Sequence, residues 1–148
     1  MKLKAKAALQ ILQPLAVVFE GIVDPDKMTQ YFISESNGRL ESGKVLLWKF
    51  PEFKERFPIS KIKIEPHHSI SFVWDPDTVV TMELEELTAD STLVRVTEGE
   101  KERNEENLNW LVENSGGWGN FLACLKAYLE YGISLRKGAF DFMKNNEF

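Results

Sequence analysis

The sequence predicts an α+β domain. Its sheet is curved, antiparallel and of about seven strands. Two short helices follow the first strand, and a long C-terminal helix packs across the concave face. Three observations predict this. Apolar residues recur with period two from Ser36 to Gly99, the mark of half-buried strands. Trp118, Phe121, Leu122, Leu125, Tyr128 and Leu129 form an apolar helical stripe. Between the first strand and the sheet region, two short helical patterns stand in tandem.

Leu3 to Gln10 opens the chain as a strand, with Ala5, Ala7 and Leu9 set against Lys4, Lys6 and Ala8. Pro14 suits the first turn of a helix, and Leu15, Val18, Phe19 and Ile22 then fall on one helical face. Asp24 can cap a second short helix with Pro25 at its first position, ending near Phe32. The run Arg39 to Lys44 reads as a hairpin turn in which Gly43 supplies the unusual backbone angles, and Val45 to Phe50 follows as a strand. Ile59, Ile62 and Ile64 alternate with lysines until Pro66 breaks the pattern. Ile70, Phe72 and Trp74 share one face of the next strand, and Asp75-Pro76-Asp77 is a turn by composition. Val80, Met82 and Leu84 alternate with Thr81, Glu83 and Glu85. A polar turn, Thr88 to Ser91, leads to Val94 and Val96. Short turns between strands imply an antiparallel meander. Asn104 can cap a helix whose first turn holds Glu105 and Glu106. Gly116 and Gly117 weaken helix there, so the last helix is expected to open at Gly117-Trp118.

A chain of 148 residues builds one core without staples. It reads as a single domain over residues 1–148, with a core at about 3–132 and an apolar tail at 133–148. The tail carries Phe140, Phe142 and Phe148, and Phe140 and Phe142 are expected to dock on the domain or on a second copy in a homodimer. The net charge of −5 argues against nucleic acid, which demands clustered lysine and arginine. Arg136-Lys137 is too short to be such a patch. No apolar run is long enough to span a membrane, and Met1 to Gln10 lacks the apolar segment of a signal peptide. These features predict a cytoplasmic protein with no membrane partner. Cys124, the lone cysteine, sits among Phe121, Leu122 and Leu125 as a structural thiol rather than a reactive one.

Several motifs carry a resemblance. They are Asp24-Pro25 before the second helix, Ile70-Ser71-Phe72-Val73-Trp74, and Gly117-Trp118-Gly119-Asn120-Phe121-Leu122 running into Leu125-Lys126-Ala127-Tyr128-Leu129-Glu130. In this order the chain resembles the START-like superfamily (SRPBCC, helix-grip or birch-pollen-allergen-like). Within it the chain is most similar to the branch homologous to activators of the ninety-kilodalton heat-shock chaperone's ATPase. The resemblance covers Leu3 to about Gly132. Tyr31-Phe32 departs from the tryptophan and aromatic pair usual at that place. What the resemblance implies is the helix-grip fold and an internal cavity; it transfers no reaction, because the fold hosts many.

A curved sheet wrapped round one helix leaves a gap between them. The residues expected to line it are Phe32, Trp48, Phe72, Trp74, Met82, Trp118, Phe121, Leu122 and Leu125, with Trp74 and Phe121 facing each other. Large apolar side chains suit a pocket for a greasy ligand; the plainer reading, that the same residues simply fill the core, stands ahead of it. His67 and His68, neighbours on an extended chain, point to opposite sides and read as an exposed turn rather than a metal site. Glu98, Glu100, Glu102, Glu105 and Glu106 read as a solvated loop and helix start rather than acid–base machinery. Arg95 reads as outward-facing beside the outer glutamates, whereas a four-residue turn at Thr88 to Ser91 with regular pairing would set it opposite Leu84, where a buried arginine needs a partner or an anionic ligand. No nucleophile elbow or phosphate loop occurs, and no cofactor or metal is expected. These features favour non-enzymatic binding of a small hydrophobic or amphipathic ligand. The alternatives are a protein-interaction module acting on a chaperone or client, and an enzyme of the cyclase or hydratase kind.

Overall fold

The computed structural model describes residues 1–74 and 77–145. Asp75 and Pro76 of the expected turn, and Phe148 of the tail, lie outside the described residues. The chain runs β1 (Lys2–Ile11), α1 (Leu15–Val23), α2 (Pro25–Met28), β2 (Glu35–Ser36), β3 (Leu46–Lys49), β4 (Arg56–Glu65), β5 (Ser69–Trp74), β6 (Thr78–Thr88), β7 (Ser91–Glu102) and α3 (Glu105–Tyr131). The strands form one seven-stranded sheet in the order β1-β7-β6-β5-β4-β3-β2, with every pairing antiparallel. This is the helix-grip arrangement, with α3 across the concave face.

Local chemistry accounts for most boundaries. The Asp24 side chain accepts the Asp26 amide N–H at 2.9 Å, and Pro25 opens α2 where no amide hydrogen is needed. That helix closes at Met28 rather than near Phe32, and hydrogen-bonded turns carry the chain on. Asn104 caps α3 by accepting the Asn107 N–H at 2.7 Å. Gly132 ends it at φ 68°, a left-handed angle that costs glycine nothing. Contrary to the sequence expectation, α3 runs unbroken through Gly116 and Gly117. A Cβ at Gly116, Gly117 or Gly119 would meet nothing within 4 Å. The glycines lie on the open side of the helix, where tertiary packing of the opposite face outweighs their low propensity.

Two bulges reconcile the strand patterns with one buried face. Ile59 and Ile62 differ in parity yet are 0% and 2% exposed. The register of β4 against β5 shifts between Ser60 and Lys63, where Lys61 has φ 49°, and the extra residue turns both isoleucines inward. A second shift lies between Glu86 and Thr88. It sets Arg95 opposite Glu83, and Arg95 faces outward to pair with Glu85 at 2.8 Å.

The core sits between the sheet and α3, closed at one side by α1. Val94, Val96, Phe72, Val80, Met82, Phe121 and Leu125 are all 0% exposed. Gly21 of α1 lies so near α3 that a Cβ there would come within 3.2 Å of Leu129. The buried Tyr31 hydroxyl donates to the Gly21 carbonyl at 2.8 Å, and its ring stacks on Tyr128 at 5.6 Å. The far end of α3 is clamped to the end of β1. Glu130 accepts the Leu12 amide N–H at 2.8 Å and the Lys126 ammonium at 2.5 Å, and Lys126 also donates to the Gln10 carbonyl.

Two predictions follow from this packing. Leu125→Ala removes a fully buried side chain from the helix–sheet seam and is expected to cost about 2–5 kcal/mol, read as a lowered midpoint in urea. The second concerns acid. Burial pushes the Glu130 carboxyl up, but the Leu12 amide and the Lys126 ammonium more than offset it and hold it below its ordinary value of 4.5. A depressed carboxyl contributes stability that is present above its unfolded value and lost as pH falls through the folded one. Stability should therefore decline as pH drops below about 4.5, and Glu130→Gln should flatten that decline in denaturation curves recorded across the acid range.

Candidate functional site

The site begins with one acidic side chain. Along β7 the buried positions Val94 and Val96 continue to Glu98, whose residue is 1% exposed. Pairing of Glu98 with Val80 points it toward α3. There the helix places Asn114 and Trp118 one turn apart on one face. Trp74 comes from the end of β5 and Thr78 from the start of β6. All four donate to the carboxyl. Oε1 accepts from Trp118 Nε1 and Asn114 Nδ2, each at 2.8 Å. Oε2 accepts from Trp74 Nε1 at 3.0 Å and from Thr78 Oγ1 at 2.6 Å.

This corrects the reading of Glu98 as part of a solvated acidic run. Glu100, Glu102, Glu105 and Glu106 are exposed; Glu98 is not, because β7 extends through the charged stretch to Glu102. The signal was the period-two continuation Val94, Val96, Glu98. The density of neighbouring charge concealed it.

In front of the two tryptophans lies a cavity of about 280 Å³. Its walls come from the middle of α3, the end of β5, the segment Phe50–Phe57 and the tail beyond Gly132. Phe32, Phe50, Trp74, Trp118 and Phe140 present rings to it, and Glu52, Glu113, Asn114, Asn120 and Arg136 supply polar groups. Of the nine residues expected to line a cavity, Phe32, Trp74 and Trp118 do so. Trp48, Phe72, Met82, Phe121, Leu122 and Leu125 are buried in the core behind it. Trp118 occupies the place where Trp74 and Phe121 were expected to meet, at 5.4 Å from the first ring and 5.5 Å from the second.

Arg136 forms the outer wall and was missed in the sequence. Its guanidinium pairs bidentately with Glu52, Nη1–Oε1 at 3.1 Å and Nη2–Oε2 at 2.7 Å. The two side chains are 10% and 6% exposed. The charge also lies over the rings of Phe140, Phe50 and Phe32, at 4.9, 5.3 and 5.8 Å, an arrangement that stabilises a cation. Its Nε is buried with no hydrogen-bond partner among the described residues. No local pattern links positions 52 and 136, so only the docked tail reveals the pair. Phe140 docks with it. Phe142, also expected to dock, rests 48% exposed with its ring 6.3 Å from that of Phe140.

His67 and His68 are exposed on the turn after Pro66, and the His67 ring meets Phe19 edge-on at 5.1 Å. No group of three metal-ligating side chains occurs among the described residues. Cys124 is fully buried, and burial pushes its thiol above the usual range, which suits a packing role. No described helix is long and apolar enough to cross a membrane.

The family model described as Activator of Hsp90 ATPase homolog 1-like protein matches residues 13–130. The chain belongs to this family. Protein SSP2350 from Staphylococcus saprophyticus is 32% identical, with a TM-score of 0.78 over 90% of this chain and 96% of that one. The Aha1 dimer from Colwellia psychrerythraea is 17% identical, with a TM-score of 0.75 over 88% and 98% of the two chains. The di-domain ARO/CYC protein BexL from the BE-7585A biosynthetic pathway is 14% identical, with a TM-score of 0.74 over 86% of this chain and 46% of that one. The last two likenesses are of fold. No curated protein matches the chain.

One substitution tests the organising role of Glu98. Glu98→Ala strips four buried or half-buried donors of their acceptor, and unmet donors of this kind each cost about 1–3 kcal/mol. A loss of roughly 3 kcal/mol or more is expected, with the Trp74 and Trp118 indole N–H signals moving in the NMR spectrum. An unchanged urea midpoint would show that the carboxyl is a bystander.

Proposed function

We propose that this member of the family binds a small hydrophobic or amphipathic molecule in the cavity between Trp74, Trp118 and the tail. The observation that carries the reading is the fixed orientation of the two tryptophans. Both indole N–H groups are held on one buried carboxyl, so both rings are immobilised before a ligand arrives. Pre-ordered walls lower the entropy cost of binding. The volume, about 280 Å³, lies at the small end of ligand pockets and suits a body of one or two fused rings. Apolar burial at roughly 25 cal/mol per Å² makes micromolar affinity reachable for such a body.

Family membership favours a second reading, a protein-interaction module of the chaperone-activator type. A cyclase-like reaction has less support. Its acid or base needs a carboxyl held in a dry pocket with an oxygen free to face the substrate; both oxygens of the buried Glu98 are engaged, and the free carboxylate of the lining, Glu113, is exposed.

Gly117 provides the test. It lines the cavity, and a Cβ there meets no atom within 4 Å. Gly117→Phe is expected to fill the space and abolish binding of neutral naphthylmethanol, followed by calorimetry and by the Trp74 and Trp118 indole signals. Helix propensity favours phenylalanine over glycine by roughly 0.3–0.5 kcal/mol, so the urea midpoint should not fall. Absence of saturable binding to the parent would sink the ligand reading. Stimulation of a heat-shock chaperone's ATPase by parent and variant alike would then put the interaction reading first.

A further inference from the structure

The donors and acceptors left on the cavity wall specify what it can hold. Both indole N–H groups are spent on Glu98. The Asn114 amide gives one Nδ2 hydrogen to the same carboxyl, which leaves its oxygen and its second amide hydrogen. Nη1 and Nη2 of Arg136 each give one hydrogen to Glu52 and keep a second, and its Nε is sealed from solvent. Among the described residues the lining nitrogens with no recorded acceptor are the sealed Arg136 Nε and the Asn120 amide nitrogen. Acceptors are plentiful: the Asn114 oxygen, the Glu52 oxygens and the exposed Glu113 carboxylate. Glu52 cancels the charge of Arg136, so the uncancelled charge on the lining is negative and sits on Glu113. The rest is aromatic, and aromatic faces carry negative potential.

A wall of aromatic rings whose uncancelled charge is negative matches a positively charged group. We propose that the cavity takes an organic cation, an ammonium or guanidinium group on a small aromatic or alkyl body, and turns carboxylates away. This rests on the ligand-binding reading above. The chain already contains one such arrangement: the Arg136 guanidinium lies over Phe32, Phe50 and Phe140 and against Glu52, nearly out of water. A bound cation would place its charge toward Glu113 and its body against Trp74 and Trp118, on the side of the cavity that Arg136 leaves open. A carboxylate in the same place would face the like charge of Glu113.

A matched trio of probes tests this on the full chain: naphthylmethylammonium, naphthylmethanol and naphthoate, each titrated by calorimetry at fixed ionic strength. The ammonium is expected to bind about tenfold more tightly than the alcohol, with naphthoate weakest. Glu113→Gln should weaken ammonium binding roughly three- to tenfold and leave the alcohol unchanged. Glu106→Gln, an equal change of net charge in the first turn of α3, should alter neither. Both glutamates are exposed, so the variants keep the fold. If the alcohol binds and the ammonium binds no better, or if naphthoate equals it, the cation inference falls and the ligand reading stands. Equal weakening by Glu106→Gln would reduce the preference to bulk charge and also overturn it. If none of the three binds, both readings fall.

Discussion

A carboxyl group removed from water must find donors, and in this fold that requirement falls on Glu98. The four groups that meet it come from β5, β6 and two positions of α3, so the hydrogen bonds tie the helix to three adjacent strands at one point. Buried polar networks of this kind are costly when incomplete and specifying when complete. Here both oxygens are satisfied twice. The register of α3 against the sheet, the tilt of both indoles and the orientation of the Asn114 amide follow from one side chain.

That constraint shapes the surface in front of it. With both indole N–H groups turned to Glu98, neither tryptophan offers a donor to the cavity. Aromatic contacts then continue outward from Trp118 to Phe32, Phe50 and Phe57. The tail completes the enclosure with Arg136 and Phe140. The bidentate geometry with Glu52 and the ring contacts together offset the desolvation of the Arg136 guanidinium. A lysine would reproduce neither the fork nor the stacking.

The family match ends at residue 130, before the segment that supplies Arg136, Phe140 and Met143 to the cavity. Trp74, Glu98, Asn114 and Trp118 all lie within the matched span. The carboxyl network therefore belongs to the part of the chain shared with the family model, and the outer wall to a segment beyond it. A cavity with an inner wall from the core and an outer wall from the C-terminal segment can change its selectivity through the second without disturbing the first.

The sequence by itself determined the elements whose cause is local. Period-two alternation marked the strands, Asp24-Pro25 and Asn104 marked helix starts, and the spacing of Trp118, Phe121, Leu122 and Leu125 marked the face of α3 that is buried. Each depends on residues within a few positions of one another, where backbone geometry converts spacing directly into facing. Tertiary structure decided the rest. It carried α3 through two glycines because packing on one face outweighs weak propensity on the other. It absorbed the parity break between Ile59 and Ile62 in a bulge at Lys61. It divided the expected cavity residues into core and lining, which depends on how closely sheet and helix approach. It buried Glu98 amid exposed glutamates, since the donors that permit this lie 16 to 24 residues away in the chain. It joined Glu52 to Arg136 across 84 positions. A charged side chain reads as solvated until its partners are located, and those partners are brought together only by the folded chain.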